Sequence, residues 1–132
     1  MTSAFAENVI KSSSCTIARD TTDWREDLPP STIAYLEKEN ALLERKGYQV
    51  IANHKDATYV LSELRDKDPL DFAPGLWQLG MGSLYYVSFV VSNGNKTIVS
   101  FQKDKRYHQD KSAMNYRFKK MEALIPTCLS SN

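Results

Sequence analysis

Hydrophobic and polar positions change rhythm several times along this chain, and each change marks an element. Residues 1–13 are small and polar, the composition of a flexible tail ahead of a single domain over 14–132. Thr16 and Ile17 in CTIARD, 15–20, suggest a short first strand. A charged connection then runs to Pro29-Pro30. Beyond it Ile33, Leu36 and Leu43 recur at helical spacing with Leu42, while Glu37, Lys38, Glu39 and Glu44 take the other side. Ser31 stands in an N-cap position. Arg45-Lys46 suits the negative helix end, and Gly47 takes a left-handed C′ conformation without steric cost. The spacing predicts a helix over 31–46. GYQVIAN, 47–53, suggests a strand. In DATYVLSELRD, 56–66, Ala57, Val60, Leu61 and Leu64 fall at i, i+3, i+4, i+7 behind Asp56, which favours a second helix. DKDPLDFAPG, 66–75, reads as a loop.

The rhythm shortens after Gly75. GLWQLGMGS opens a sheet region, and LYYVSFVV is the clearest strand, rich in aromatic and β-branched residues. Asn93-Gly94 is a hairpin signal, since both residues tolerate the positive φ of a type I′ turn. That turn sets Phe89 opposite Ile98 and Tyr86 opposite Phe101. Both faces then carry bulky apolar groups, so the hairpin is expected at the centre of its sheet. SAMNYRFKKMEALI, 112–125, closes the fold as a helix, with Ala113, Tyr116, Met121, Leu124 and Ile125 as its apolar stripe and Pro126 as its stop. The fold class is α+β: N-terminal helices, an antiparallel sheet of three to four strands with a central hairpin, and a C-terminal helix.

Composition adds little to this picture, and charge adds more. Hydrophobic residues make up 42% of the 132 and charged residues 25%, which excludes wholesale disorder. Net charge is +1, yet residues 94–120 hold eight Lys and Arg against Asp104 and Asp110. A basic C-terminal third of this kind points to an anionic ligand, or to a solvated face with none. Cys15 and Cys128 lie far apart without metal-ligand spacing, so two free thiols in a reducing cytosol are expected. No basic n-region with a long apolar stretch opens the chain, and no apolar run approaches the roughly 20 residues of a membrane span. The expected location is cytoplasmic, with no membrane partner.

GLWQL at 75–79, a hairpin, Phe101 and Lys103 of SFQK, a basic loop, and a helix bearing Arg117, Lys119 and Lys120 resemble the RelE/ParE superfamily, most closely its HigB-like branch. The resemblance covers about residues 75–125. It implies a toxin of a toxin–antitoxin pair that cuts mRNA on the ribosome and is silenced by a cognate antitoxin protein. Three positions depart from the family pattern: Gly80 and Tyr85 stand where it has arginines, and Asp104 where it has a second lysine.

Metal-independent RNA cleavage needs a base for the 2′-hydroxyl, cations for the phosphate and an acid for the leaving oxygen. The catalytic candidates are Lys103, Arg106, Tyr107 and His108. Arg106 offers bidentate phosphate contact, His108 titrates near neutrality unaided, and Tyr107 stacks on a base or transfers a proton. Lys105, Lys111, Tyr116, Arg117, Lys119 and Lys120 are the RNA-binding candidates, with cations interleaved among aromatics. Neither cofactor nor metal is expected. Each residue also has a plainer reading, as a solvated lysine, a surface histidine or a core-edge tyrosine. The leading expectation is a RelE/HigB-like toxin that binds mRNA through the basic surface at 103–120 and cleaves it, neutralised by its antitoxin; the alternative is a non-catalytic interaction module on the same fold whose basic face docks an acidic partner protein. The GLWQL…SFQK pattern and the basic closing helix favour the first, and the missing arginines favour the second.

Overall fold

A computed structural model of the chain describes residues 8–22, 30–63, 84–85, 88–102, 107–108 and 111–131. The elements run β1 (Val9–Ser12), β2 (Thr16–Arg19), α1 (Pro30–Arg45), β3 (Gln49–Val50), a 3-10 turn (His54–Asp56), β4 (Tyr59–Glu63), β5 (Leu84–Tyr85), β6 (Phe89–Asn93), β7 (Lys96–Phe101), β8 (Tyr107–His108), α2 (Lys111–Leu124) and β9 (Thr127–Ser130). The class is α+β, with two helices and a mixed five-stranded sheet in the order β3-β2-β4-β6-β7.

The order of elements differs from the expected one at several points. Two strands precede the first helix, and Val9–Ser12, expected within a tail, pairs in parallel with β9. The chain passes from α2 into β9, so the helix at 111–124 is not its last element. The stretch expected as a helix over 56–66 contains β4 instead. Tyr59 and Leu61 are buried on one side while Val60 and Ser62 are half-buried on the other, a period of two. Because β4 runs parallel to β2 and antiparallel to β6, the sheet is mixed where an antiparallel one was expected.

The hairpin is present, with a shifted turn. Asn93 pairs with Lys96, which leaves Gly94 and Asn95 as the two loop residues. Only Gly94 of the two has positive φ, at 59°, the requirement of a II′ turn and not of I′. An irregularity between Val91 and Ser92 adds a residue on β7, so Phe89 faces Phe101 rather than Ile98. β7 closes the strand order at one side, where a central hairpin was expected. GLWQL at 75–79 and residue 86 lie outside the described residues.

Both helices pack on one face of the sheet. The core joins Ile17, Tyr59, Leu61, Phe89 and Val91 from the strands to Leu42 and Leu43 of α1 and Met121 and Ile125 at the end of α2. Burial of such side chains contributes on the order of 25 cal/mol per Å² of apolar surface, the main force holding the layers together. Ile33, expected in the α1 stripe, is exposed.

At the C-terminal end of both helices the layers are fastened by more than packing. Cys15, just before β2, is disulfide-bonded to Cys128 in β9, replacing the two free thiols expected. The backbone N–H of Cys128 donates to the Lys46 carbonyl at 2.7 Å, the Lys46 Nζ donates to the Ile125 carbonyl at 2.7 Å, and the Tyr48 hydroxyl donates to the Pro126 carbonyl at 2.8 Å. Burial and the neighbouring Tyr59 push the Tyr48 phenol well above its ordinary range, so it stays a donor at every relevant pH. Gly47 has φ of 94°, and a Cβ there would lie 2.2 Å from the Cys128 carbonyl oxygen. Glycine is needed at this crossing for both reasons.

Candidate binding surface and a buried ion cluster

Four charged side chains meet between the sheet and the helices. Each occupies a core-facing position of its own element. Arg19 follows Ile17 by two residues in β2, and Glu63 follows Leu61 by two in β4, so strand alternation points both toward the helices. Glu39 lies three residues after Leu36 and four before Leu43 in α1. Arg117 lies four before Met121 in α2. Helical spacing therefore turns both inward as well.

The pairing is dense. Glu39, 1% exposed, accepts from Arg19 Nη2 through Oε1 and from Arg117 Nε through Oε2, each at 2.9 Å. Arg117, 2% exposed, also donates from Nη1 and Nη2 to the two carboxylate oxygens of Glu63, the second at 3.1 Å. Arg19 Nη1 donates to Asn40 Oδ1. Two cations and two anions balance, which is the condition for holding charge out of water. Desolvation raises the Glu39 carboxyl, but Arg117 and Arg19 together outweigh it and hold the group below the usual carboxylate range. Glu63 goes the other way: burial pushes its carboxyl up, the Glu39 charge adds to this, and Arg117 offsets only part. The same two carboxylates keep Arg117 charged against its own desolvation.

Arg117 was expected on the outer face of its helix as an RNA contact. It is internal, because Glu39 and Glu63 from two other elements supply it with partners that solvent would otherwise provide. Lys119 is exposed, and Tyr116 and Lys120 are half-buried. Lys120 Nζ lies 5.5 Å from the ring centroids of both Phe101 and Tyr116, and these two rings are 6.1 Å apart. Lys38 of α1 caps Phe118 at 4.7 Å. Cations held over aromatic faces are attracted by the ring quadrupole, on the order of 0.5–1 kcal/mol at such partly exposed sites. The result is a shelf between β7 and α2 in which the Lys120 ammonium stands over the Phe101 and Tyr116 rings.

Lys103, Lys105 and Arg106 lie outside the described residues. Tyr107 and His108 form β8, which pairs with β5 so that Tyr107 faces Tyr85 and His108 faces Leu84. Lys111 opens α2. His54 Nε2 lies 3.9 Å from Asp20 Oδ1, beyond hydrogen-bond reach, while Thr22 Oγ1 donates to that oxygen at 2.6 Å. The hydroxyl bonds the carboxylate rather than the imidazole, so the trio lacks the relay of a nucleophile, base and orienting acid. Among the described residues no three His, Cys, Asp or Glu side chains converge as metal ligands, and no helix is long and apolar enough to cross a membrane.

In comparison with known proteins, no family model, curated protein or solved structure matches the chain.

Proposed function

We propose that this chain is a non-catalytic binding module whose basic, aromatic shelf docks an acidic partner protein. The observation that carries this reading is the division of the α2 cations. Arg117 is committed inward to Glu39 and Glu63, whereas Lys120 stands over the Phe101 and Tyr116 rings and Lys119 is exposed. Such a surface suits carboxylates, which pair with the ammonium groups while the rings supply contact area. The disulfide argues for an oxidising compartment, where such bonds form and persist, and so against the reducing cytosol in which ribosome-bound mRNA is cut. The RelE/HigB-like toxin reading rests on the resemblance over 75–125 and on Lys103, Arg106, Tyr107 and His108. It gains nothing from Arg117 and is the rival that the experiment must separate.

Fluorescence anisotropy of the full, disulfide-bonded chain with a glutamate-rich peptide and with single-stranded RNA makes that separation. The module reading expects peptide binding that weakens as salt rises, falls about tenfold in K119E/K120E, and leaves the RNA intact; the factor corresponds to about 1.4 kcal/mol. New RNA ends that disappear in R106A would overturn it in favour of the toxin. Failure to bind the peptide at low salt would overturn it outright.

A further inference from the structure

We infer that Asn95 is an acceptor for N-linked glycosylation. Asn95-Lys96-Thr97 is the only Asn-x-Ser/Thr sequence in the chain in which x is not proline. A tripeptide of this kind arises often by chance, so its setting decides its meaning. Here it occupies the tip of the β6–β7 hairpin. Asn95 is the second loop residue of the two-residue turn, and residues 93–97 are all exposed. Among the described residues, nothing beyond its two chain neighbours lies within 4 Å of the position a Cβ would take on Gly94, so the tip stands clear of the described fold. A bulky, hydrated substituent on Asn95 displaces no packed group. The second observation is the disulfide between Cys15 and Cys128, which belongs to the oxidising compartments through which glycoproteins pass. Motif, exposure and redox environment are independent of one another, and they agree.

The co-reactant is an oligosaccharide carried on a polyprenyl pyrophosphate. Asn95 Nδ2 attacks the anomeric carbon of its first sugar; the new C–N bond forms as the sugar–phosphate C–O bond breaks, the pyrophosphate leaves with that electron pair, and the amide gives up one proton to a base of the transferring enzyme. No oxidant or reductant is involved. The Thr97 hydroxyl is the recognition element at the second position. The site also leaves the binding shelf free. Asn95 lies six positions before Phe101, the last residue of β7, a separation of roughly 20 Å at about 3.3 Å per residue.

The test uses the full chain isolated from the cells that make it. Non-reducing mass spectrometry should show one glycan per disulfide-bonded chain. Peptide N-glycosidase in heavy-oxygen water should remove it and convert Asn95 to a labelled aspartate. N95Q and T97A should lose the glycan, and T97S should keep it, which separates loss of the acceptor from loss of the fold. Peptide binding at the shelf should change less than twofold on deglycosylation, so a failed shelf and a failed acceptor are told apart. An unmodified Asn95 in the disulfide-bonded native chain would overturn the assignment, as would a chain found only with reduced thiols and no sugar.

Discussion

The two ends of the helix–sheet layer are closed by different chemistry. At one end Arg19, Glu39, Glu63 and Arg117 interlock four elements through charge alone. At the other, the disulfide, the Gly47 crossing and carbonyls accepting from Lys46 and Tyr48 fasten β9 to the start of β2 and the end of α1. The first closure depends on protonation and on every partner being present. The second is anchored by a covalent bond and by donors to backbone carbonyls. A domain built this way keeps its terminal ribbon in place under conditions that loosen its ionic end.

The largest effect should come from breaking the ionic end. Glu39→Ala leaves Arg19 and Arg117 buried with less compensation and should cost about 3–5 kcal/mol, measured by urea unfolding of the oxidised chain. A loss below about 1 kcal/mol would show that water reaches the cluster. Removing the other closure should cost somewhat less. The disulfide spans 113 residues, so the double variant Cys15→Ser/Cys128→Ser should lose about 2–4 kcal/mol by relaxing the constraint on the unfolded chain. That loss should be flat from pH 4 to pH 8, and a pH-dependent loss would mean that the two ends are coupled.

The smallest effect is the sharpest, because it has a sign. Glu39 is held below the ordinary carboxylate range, so its contribution is present above the unfolded value of about 4.3 and lost as pH falls through the folded value. Glu63 is raised, so its contribution is full below the unfolded value and declines as pH rises through the folded one. The cost of Glu39→Gln should therefore shrink on acidification, while that of Glu63→Gln should shrink toward neutrality. Each change is on the order of 1 kcal/mol across the window. Unfolding midpoints of both variants and the parent at several pH values check this, and parallel curves would remove the distinction between the carboxylates.

Much of the secondary structure was legible because its signals are local. The 30–45 helix follows from the spacing of Leu36, Leu42 and Leu43 between Pro30 and Gly47, and Gly47 carries the positive φ its position implied. β4 was misread because Ala57, Val60, Leu61 and Leu64 satisfy a helical period over so short a window; pairing with β2 and β6 decided the matter. The hairpin turn moved by one residue because the extra β7 residue let Phe89 meet Phe101, a contact between strands that the turn residues do not encode.

The site was less legible, for a single physical reason: its decisive contacts are remote in sequence. Arg117 and Glu39 are separated by 78 residues, and each looks like an ordinary surface charge until the partner is known. A signal did exist. Four elements each place a charge where their own period calls for an apolar side chain, two of either sign, and such a balanced set of violations marks an internal cluster. The disulfide carried no comparable signal, since two cysteines 113 residues apart have no spacing to interpret.

The bond between Cys15 and Cys128 turns the intervening chain into a closed loop, with β1 attached just outside one junction and Leu129 and Ser130 just outside the other. Tension applied at Val9 and Ser130 would shear the parallel ribbon and then pass straight across the sulfur bridge. The sheet, both helices and the shelf would carry none of that load. A pull between the two ends would thus extend only the few residues outside the loop, and the bound face would keep its shape until the bridge itself was reduced.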